Sequence, residues 1–244
     1  MAAARIHHRP CPWRHAAATV LGVSWALASH AESPMLTDDA GTLEAGGFKI
    51  EARHTWDALA RSEELAFGFA PLPKVELGLS AASERDRTNH PADTAQVRGL
   101  SVKWVPLQSE TGLSLGVLLD VSHAQRHRPS APPGEPQHET GHEWSLTLLA
   151  SHRDATGHAV HANLGTQRAE SEGLLGRVAF WSVGYEHPLA EHLQLTLDLR
   201  RAQDARADTQ LGLRFEIQPG LKIYGAAGRG NRRDFGTVGL AWEF

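Results

Sequence analysis

The segment His138-Glu139-Thr140-Gly141-His142 carries the H-E-x-x-H spacing. On a helix this spacing sets two imidazoles on one face, beside a carboxylate that can activate a metal-bound water. The surrounding chain forbids that helix. Pro132, Pro133 and Pro136 precede the motif, Gly141 interrupts it, and an alternating segment starts at Glu143. With fifteen histidines in the chain, the match reads as coincidence. His123, His127, His138 and His142 flank one long loop, where they could hold a metal weakly or stand as separate surface imidazoles; the second reading is preferred and no metal or cofactor is expected. The serines and histidines show no preferred pairing, so a Ser-His-Asp or Ser-His-Asn hydrolase would have to be recognised by geometry. The glycine-rich stretch 225–230 lacks the helix and the Lys-Ser/Thr of a phosphate loop.

A better candidate for function is a set of charges that recurs at every second residue. Lys49, Glu51, Arg53, Glu64, Glu76, Lys103, Asp120, Asp198, Arg200, Arg214, Glu216 and Lys222 all fall opposite an apolar face. Twelve charges cannot fill a dry core unpaired. Both signs recur on neighbouring segments, so they could line a polar path that selects a solute, or neutralise one another across a closed interior.

The elements that carry these charges alternate with a period of two, the signature of strands with two environments. Segments near 48–56, 63–70, 75–84, 94–105, 113–122, 143–151, 158–167, 177–186, 193–200, 210–217, 221–228 and 234–244 give about twelve strands of roughly ten residues. The face of the eighth, with Phe180, Trp181 and Tyr185, cannot be assigned from the pattern. Short connectors near 71–74, 106–111, 153–157, 187–191 and 218–220 alternate with longer ones near 85–93, 125–139 and 168–175. No stretch of period 3.6 is available to cover the leucine-rich face. Lipid outside and water inside satisfy both faces. The expected fold is therefore all-β: an antiparallel transmembrane β-barrel of about twelve strands, with short turns in the periplasm and longer loops outside. The last strand ends on Trp242 and Phe244, read as girdle residues and as the end of a signal for the barrel assembly machinery.

The totals agree with this reading. The mean hydropathy of −0.34 would suggest a soluble chain, but barrels spread their apolar residues thinly. The net charge of −4 without a basic cluster excludes a nucleic-acid partner. Residues 1–31 resemble a cleaved signal. Arg5, Arg9 and Arg14 precede a short apolar run, and Ser29-His30-Ala31 offers the cleavage site. Removing those three arginines and no acid takes the charge from −4 to −7 and removes the single cysteine, Cys11. Residues 32–46 are polar and glycine-punctuated, a periplasmic lead-in to a barrel over 47–244, and the pattern leaves open whether they enter the lumen.

Several stretches resemble the MetA-pathway of phenol degradation family of outer-membrane transporter barrels. They are Pro34 with Thr37-Asp38-Asp39-Ala40-Gly41-Thr42, Val183-Gly184-Tyr185 with Pro188-Leu189, Asp208-Thr209-Gln210-Leu211-Gly212-Leu213, Gly228-Arg229-Gly230, and the closing Phe244. The middle of the chain, 85–175, rests on pattern alone. The resemblance implies a barrel in the cell outer membrane that passes small molecules, aromatic or otherwise hydrophobic ones included, and it carries over no catalytic residues. The expected function is a channel gated by the loops at 85–93 and 125–139, whose partners are outer-membrane lipid, the assembly machinery and a small-molecule solute. A plugged structural or surface-interaction barrel is the alternative, and an outer-membrane hydrolase the least favoured.

Overall fold

The computed structural model describes residues 33–129, 131–171, 174–203, 205–230 and 233–244. The expected signal at 1–31 lies outside the described residues. Twelve antiparallel strands close into one barrel: β1 (Phe48–Asp57), β2 (Ala60–Leu72), β3 (Val75–Asp86), β4 (Thr94–Leu107), β5 (Gly112–His127), β6 (His138–Arg153), β7 (Ala159–Ser171), β8 (Leu174–Ala190), β9 (Leu193–Ala202), β10 (Asp208–Gln218), β11 (Leu221–Gly230) and β12 (Arg233–Glu243). Each strand pairs with its sequence neighbours, and β12 closes on β1 from Lys49↔Glu243 to Asp57↔Phe235. Phe48 and Phe244 exchange both backbone hydrogen bonds at the seam, at 2.8 and 2.9 Å. Closure leaves no edge strand to solvate, which is what a bilayer demands of a sheet.

The outward face is apolar throughout the middle of the barrel. Leu65, Leu79, Leu100, Leu148, Leu164, Leu211 and Val238 are all exposed. The five tryptophans of the barrel also point outward, in two rows. Trp104 and Trp242 stand near the end that carries both termini. Trp56, Trp144 and Trp181 stand toward the other end, here called the loop end. Two aromatic rows around a leucine belt match the girdles of a bilayer-spanning barrel. The protein is an outer-membrane β-barrel.

Three boundaries differ most from those expected. The hairpins β5–β6 and β7–β8 run beyond the expected loops 125–139 and 168–175, leaving connections of only 128–137 and 172–173. Above the bilayer both faces meet water, so the strand continues after its apolar signal has stopped. Strand β8 also runs through Pro188, expected in a turn, and the chain reverses only at 191–192. The ladder shifts register between Pro188 and Ala190, and again between Phe69 and Leu72 and between Trp104 and Leu107, where Pro71 and Pro106 lie. A proline has no N–H to give to the ladder and is accommodated at such irregularities.

Candidate functional site: the lumen and its inner segment

Strand parity delivers a second surface to the inside of the barrel. Lys49, Glu51, Glu76, Lys103, Asp198 and Arg214 are buried there, and Arg53, Glu64, Asp120, Arg200, Glu216 and Lys222 are partly buried. The structure ties most of them in short-range pairs. Arg53 meets Glu64 at 2.6 Å, Lys49 meets Glu51 at 3.6 Å, and Lys222 meets Glu243 at 3.5 Å. Arg214 bonds Glu186 at 2.8 Å, and Arg153 reaches the other oxygen of Glu186 at 3.0 Å. Asp120 accepts from Ser145 Oγ at 3.0 Å, and the Arg200 guanidinium lies 4.8 Å from the centre of the Phe180 ring. The face of β8 is thereby fixed: Phe180, Ser182 and Glu186 point in, Trp181 and Val183 point out.

The lead-in does not remain in the periplasm. Ser33, Met35, Thr37, Asp38 and Ala40 are buried inside the barrel. The segment 33–46 is fastened to strands all around the wall. The Ser33 hydroxyl donates to Glu51. Arg214 donates to the Ser33 carbonyl at 3.2 Å, and Gln210 donates to the Pro34 carbonyl. The Thr37 amide donates to Asp198 at 3.2 Å and the Leu43 amide to Glu76 at 3.1 Å. Lys103 Nζ meets Asp39 at 2.9 Å. At the terminal rim the Gly46 amide donates to the Ala70 carbonyl at 2.7 Å, which leads the chain into β1. A polar, glycine-punctuated stretch cannot lie in lipid, and its backbone groups find partners on a charged wall.

The wall is shaped to take it. A Cβ on Gly184 would stand 2.3 Å from the Met35 methyl, and one on Gly212 would stand 2.6 Å from Pro34 Cγ. These inward glycines leave the hollows that the segment fills. Ala40 sits in a small apolar cluster with Val105, Leu118 and Leu149. Those three break the polar pattern of the inward face, and their partner comes from the segment rather than from another strand.

The twelve candidate charges left out Asp38, Asp39, Glu143, Arg153, His161 and Glu186, and Tyr224 was set opposite the apolar face of its strand but not named as a site residue. Glu143 and Arg153 were concealed by the strand-end and turn positions assigned to them, and Glu186 by the unassigned face of the eighth strand. Tyr224 donates to Glu51 at 2.6 Å, so one carboxylate binds the wall and the segment together. Ser151 Oγ lies 2.8 Å from His161 Nδ1 and accepts the Ala40 amide at 2.7 Å. His161 Nε2 is 3.8 Å from Glu186, which the two arginines already engage. This Ser-His-Glu series anchors the segment, and its serine faces the segment rather than an open cleft.

Above the segment, toward the loop end, lies a polar pocket open to solvent. Leu36 and Asp38 form its floor; Asp120, Glu143, Arg200 and a ring of Ser, Thr, Asn and Gln side chains form its wall. Among the described residues, Asp38 Oδ1 has no hydrogen-bond partner. Burial pushes the Asp38 carboxyl above its ordinary value, against the pull of Lys103. At the rim, Arg128 meets Asp93 at 3.9 Å and Glu135 at 3.4 Å, linking the connections 87–93 and 128–137. The H-E-x-x-H residues fall on β6, where Glu139 turns inward to Arg128. His138 and His142 turn outward and face His127 and His123, with ring centres 4.6 Å apart in each pair. The strand thus separates the carboxylate from the two imidazoles that a helix would have joined. Among the described residues no three His, Cys, Asp or Glu side chains converge on a metal position.

Comparison with solved structures agrees with this architecture. The chain is similar to the COG4313 outer membrane channel from Pseudomonas putida F1, at 10% identity and a TM-score of 0.61, covering 84% of this chain and 98% of that one. It is similar to the KdgM porin in complex with disordered oligogalacturonate, at 12% identity and a TM-score of 0.57, over 80% of this chain and 99% of the porin. The translocator domain of the autotransporter NalP from Neisseria meningitidis matches at 12% identity and a TM-score of 0.60, over 94% and 96%. At such identities the likeness is one of fold. No protein-family model matches the chain, and no curated protein matches it by sequence.

Proposed function

We propose that the protein is a gated channel of the outer membrane for small hydrophilic molecules. The observation that carries this reading is the division of the lumen. The inner segment fills the terminal half, and a polar pocket stays open to solvent at the loop end. Its serines, amides and opposed charges suit hydroxylated or charged solutes. Phe180 is the one aromatic side chain that the described residues turn into it, so the aromatic solutes implied by the family resemblance form a comparison arm rather than the leading candidates. The porin and channel among the similar structures support passage. Catalysis is not part of this reading, because the Ser151–His161 pair is engaged in holding the segment. Lipid and the barrel assembly machinery are the remaining partners.

The test is conductance in planar bilayers, with the intact chain compared with one lacking residues 33–44. Release of the segment should convert brief or absent openings into steady conductance, and liposomes loaded with sugars, amino acids or simple phenols would then rank the solutes. Folded protein that passes neither ions nor solutes in both forms would leave the plugged structural barrel as the better reading.

A further inference from the structure

The outer wall carries a charge asymmetry that neither the lumen nor the apolar belt explains. Arg61, Arg85, Arg98, Arg168, Arg177 and Arg201 are all exposed and all hold outward parity. Five of them lie two to four residues beyond the last outward apolar side chain of their strands; Arg177 lies two residues beyond Ala179, with Leu175 farther out, and its Nε donates to Thr166 Oγ1 at 3.2 Å. Among the described residues, no lysine or arginine holds an outward strand position in the terminal half of the barrel. The depth of the belt is set by the three loop-end tryptophans, which pair across the sheet with it: Trp56↔Arg61, Trp144↔Arg168 and Trp181↔Arg201. Tryptophan marks the level of the headgroups, so these guanidinium groups stand among headgroups rather than in water.

Two of the cross-strand pairs join like charges directly: Arg61↔Arg85 and Arg168↔Arg177. Such pairs weaken a sheet unless an anion lies between them. Acids share this level at Glu63, Glu170 and Asp234, but Glu63 lies 4.0 Å from His54, and Asp234 lies 3.5 Å from Arg229. Guanidinium forks fit phosphate oxygens two at a time, and paired forks form a clamp for one phosphate group.

We propose that this belt binds the phosphate groups of lipid headgroups in the outer leaflet, with Arg61/Arg85 and Arg168/Arg177 as two clamps. The proposal rests on the membrane-spanning reading of the barrel and is independent of whether the lumen conducts. Binding there would fix the depth of the barrel and brace the β2–β3 and β7–β8 hairpins at the mouth of the pocket.

The test uses the full chain in dodecyl maltoside micelles, titrated with a bis-phosphorylated glucosamine disaccharide lipid or with its phosphate-free form, bound lipid being counted by native mass spectrometry. The phosphorylated lipid should bind and the phosphate-free form should bind far more weakly. Each arginine contributes roughly fivefold near a charged lipid surface, so R61Q/R85Q and R168Q/R177Q should each weaken binding by about twentyfold or more. K74Q, which removes a cation from the turn at the opposite end, should leave binding unchanged. Retention of a heat-dependent gel shift reports that each variant is folded, and either double variant suffices if the other does not fold. Equal binding of the two lipids, unchanged affinity in a folded double variant, equal loss in K74Q, or full displacement by millimolar inorganic phosphate would each overturn the proposal.

Discussion

Substituting Lys103 by Gln should loosen the inner segment and raise the opening rate of the channel. The ammonium meets Asp39 at 2.9 Å, and its side chain is only 3% exposed, whereas that of Asp39 is 21% exposed. Removing one member of a buried pair costs about 3–5 kcal/mol, chiefly because the other charge is left without a partner. Asp39 retains some contact with water, so a smaller value of about 2–3 kcal/mol applies here. Glutamine keeps a donor of nearly the right length, which favours the lower end. Lys103 also faces Glu76 across the β3–β4 ladder, a neighbour it keeps when the segment leaves. The share of the loss that comes from Asp39 falls on the seated state of the segment. A cost of that size shifts the ratio of released to seated segment by roughly 30- to 150-fold. Single-channel recording in planar bilayers reads this ratio as the fraction of time spent open. An open fraction in K103Q within about twofold of the parent, far below the expected shift, would refute the reasoning if the chain lacking residues 33–44 conducts steadily. The ion pair would then ornament a segment held by other contacts.

Three further outcomes follow from the same geometry. Gly184→Val should expel Met35, because even a Cβ would stand 2.3 Å from the Met35 methyl; the variant should keep its heat-dependent gel shift and show more frequent openings. Deleting Phe244 removes both backbone bonds to Phe48 and the ring contacts at 5.9 Å to Phe48 and 4.9 Å to Trp242. It should lower the yield of folded barrel in the outer membrane without changing the ion selectivity of the molecules that do insert, and normal assembly would count against the reading of the terminal strand. Asp38 titrates above its ordinary value when the segment is seated. Its released form binds a proton less tightly, so acidification from neutrality toward the ordinary carboxylate range favours the seated state and should reduce openings. Asp38→Asn should flatten that response; openings that increase on acidification in the parent and not in D38N would reverse the assigned sign.

The strands were legible because a bilayer imposes a strict rule on a sheet. Leu193, Leu195 and Leu197 must face lipid while Thr196 and Asp198 face in, and the sequence alternates accordingly. Where the rule lapses, so does legibility. Above the bilayer both faces of β5 and β6 are polar, and the hairpin was read several residues too short. At β8 an inward Phe180 beside an outward Trp181 hides the parity, since the pattern separates apolar from polar but not two apolar residues from one another. Phe180 is inward because it covers Gly165 and carries Arg200 on its ring.

The inner segment was invisible for a different reason. Periodicity describes an element against its own surroundings, and 33–46 has no period because every residue meets a different part of the wall. Its traces lay instead on the strands, as exceptions to their inward pattern: Val105, Leu118 and Leu149 where polar groups were expected, and Gly184 and Gly212 where side chains were expected. Such exceptions carry information only once the barrel is closed, because closure brings β4, β5 and β6 around one apolar patch and sets Gly184 and Gly212 beside Met35 and Pro34. The charges obey the same logic. Lys103 and Asp198 were legible as inward residues, but their partners come from the segment at Asp39 and Thr37. A lumen that looked like a charged path is therefore, in its terminal half, a socket. Release of the segment from it depends on a few contacts, each of a size that a single substitution can remove.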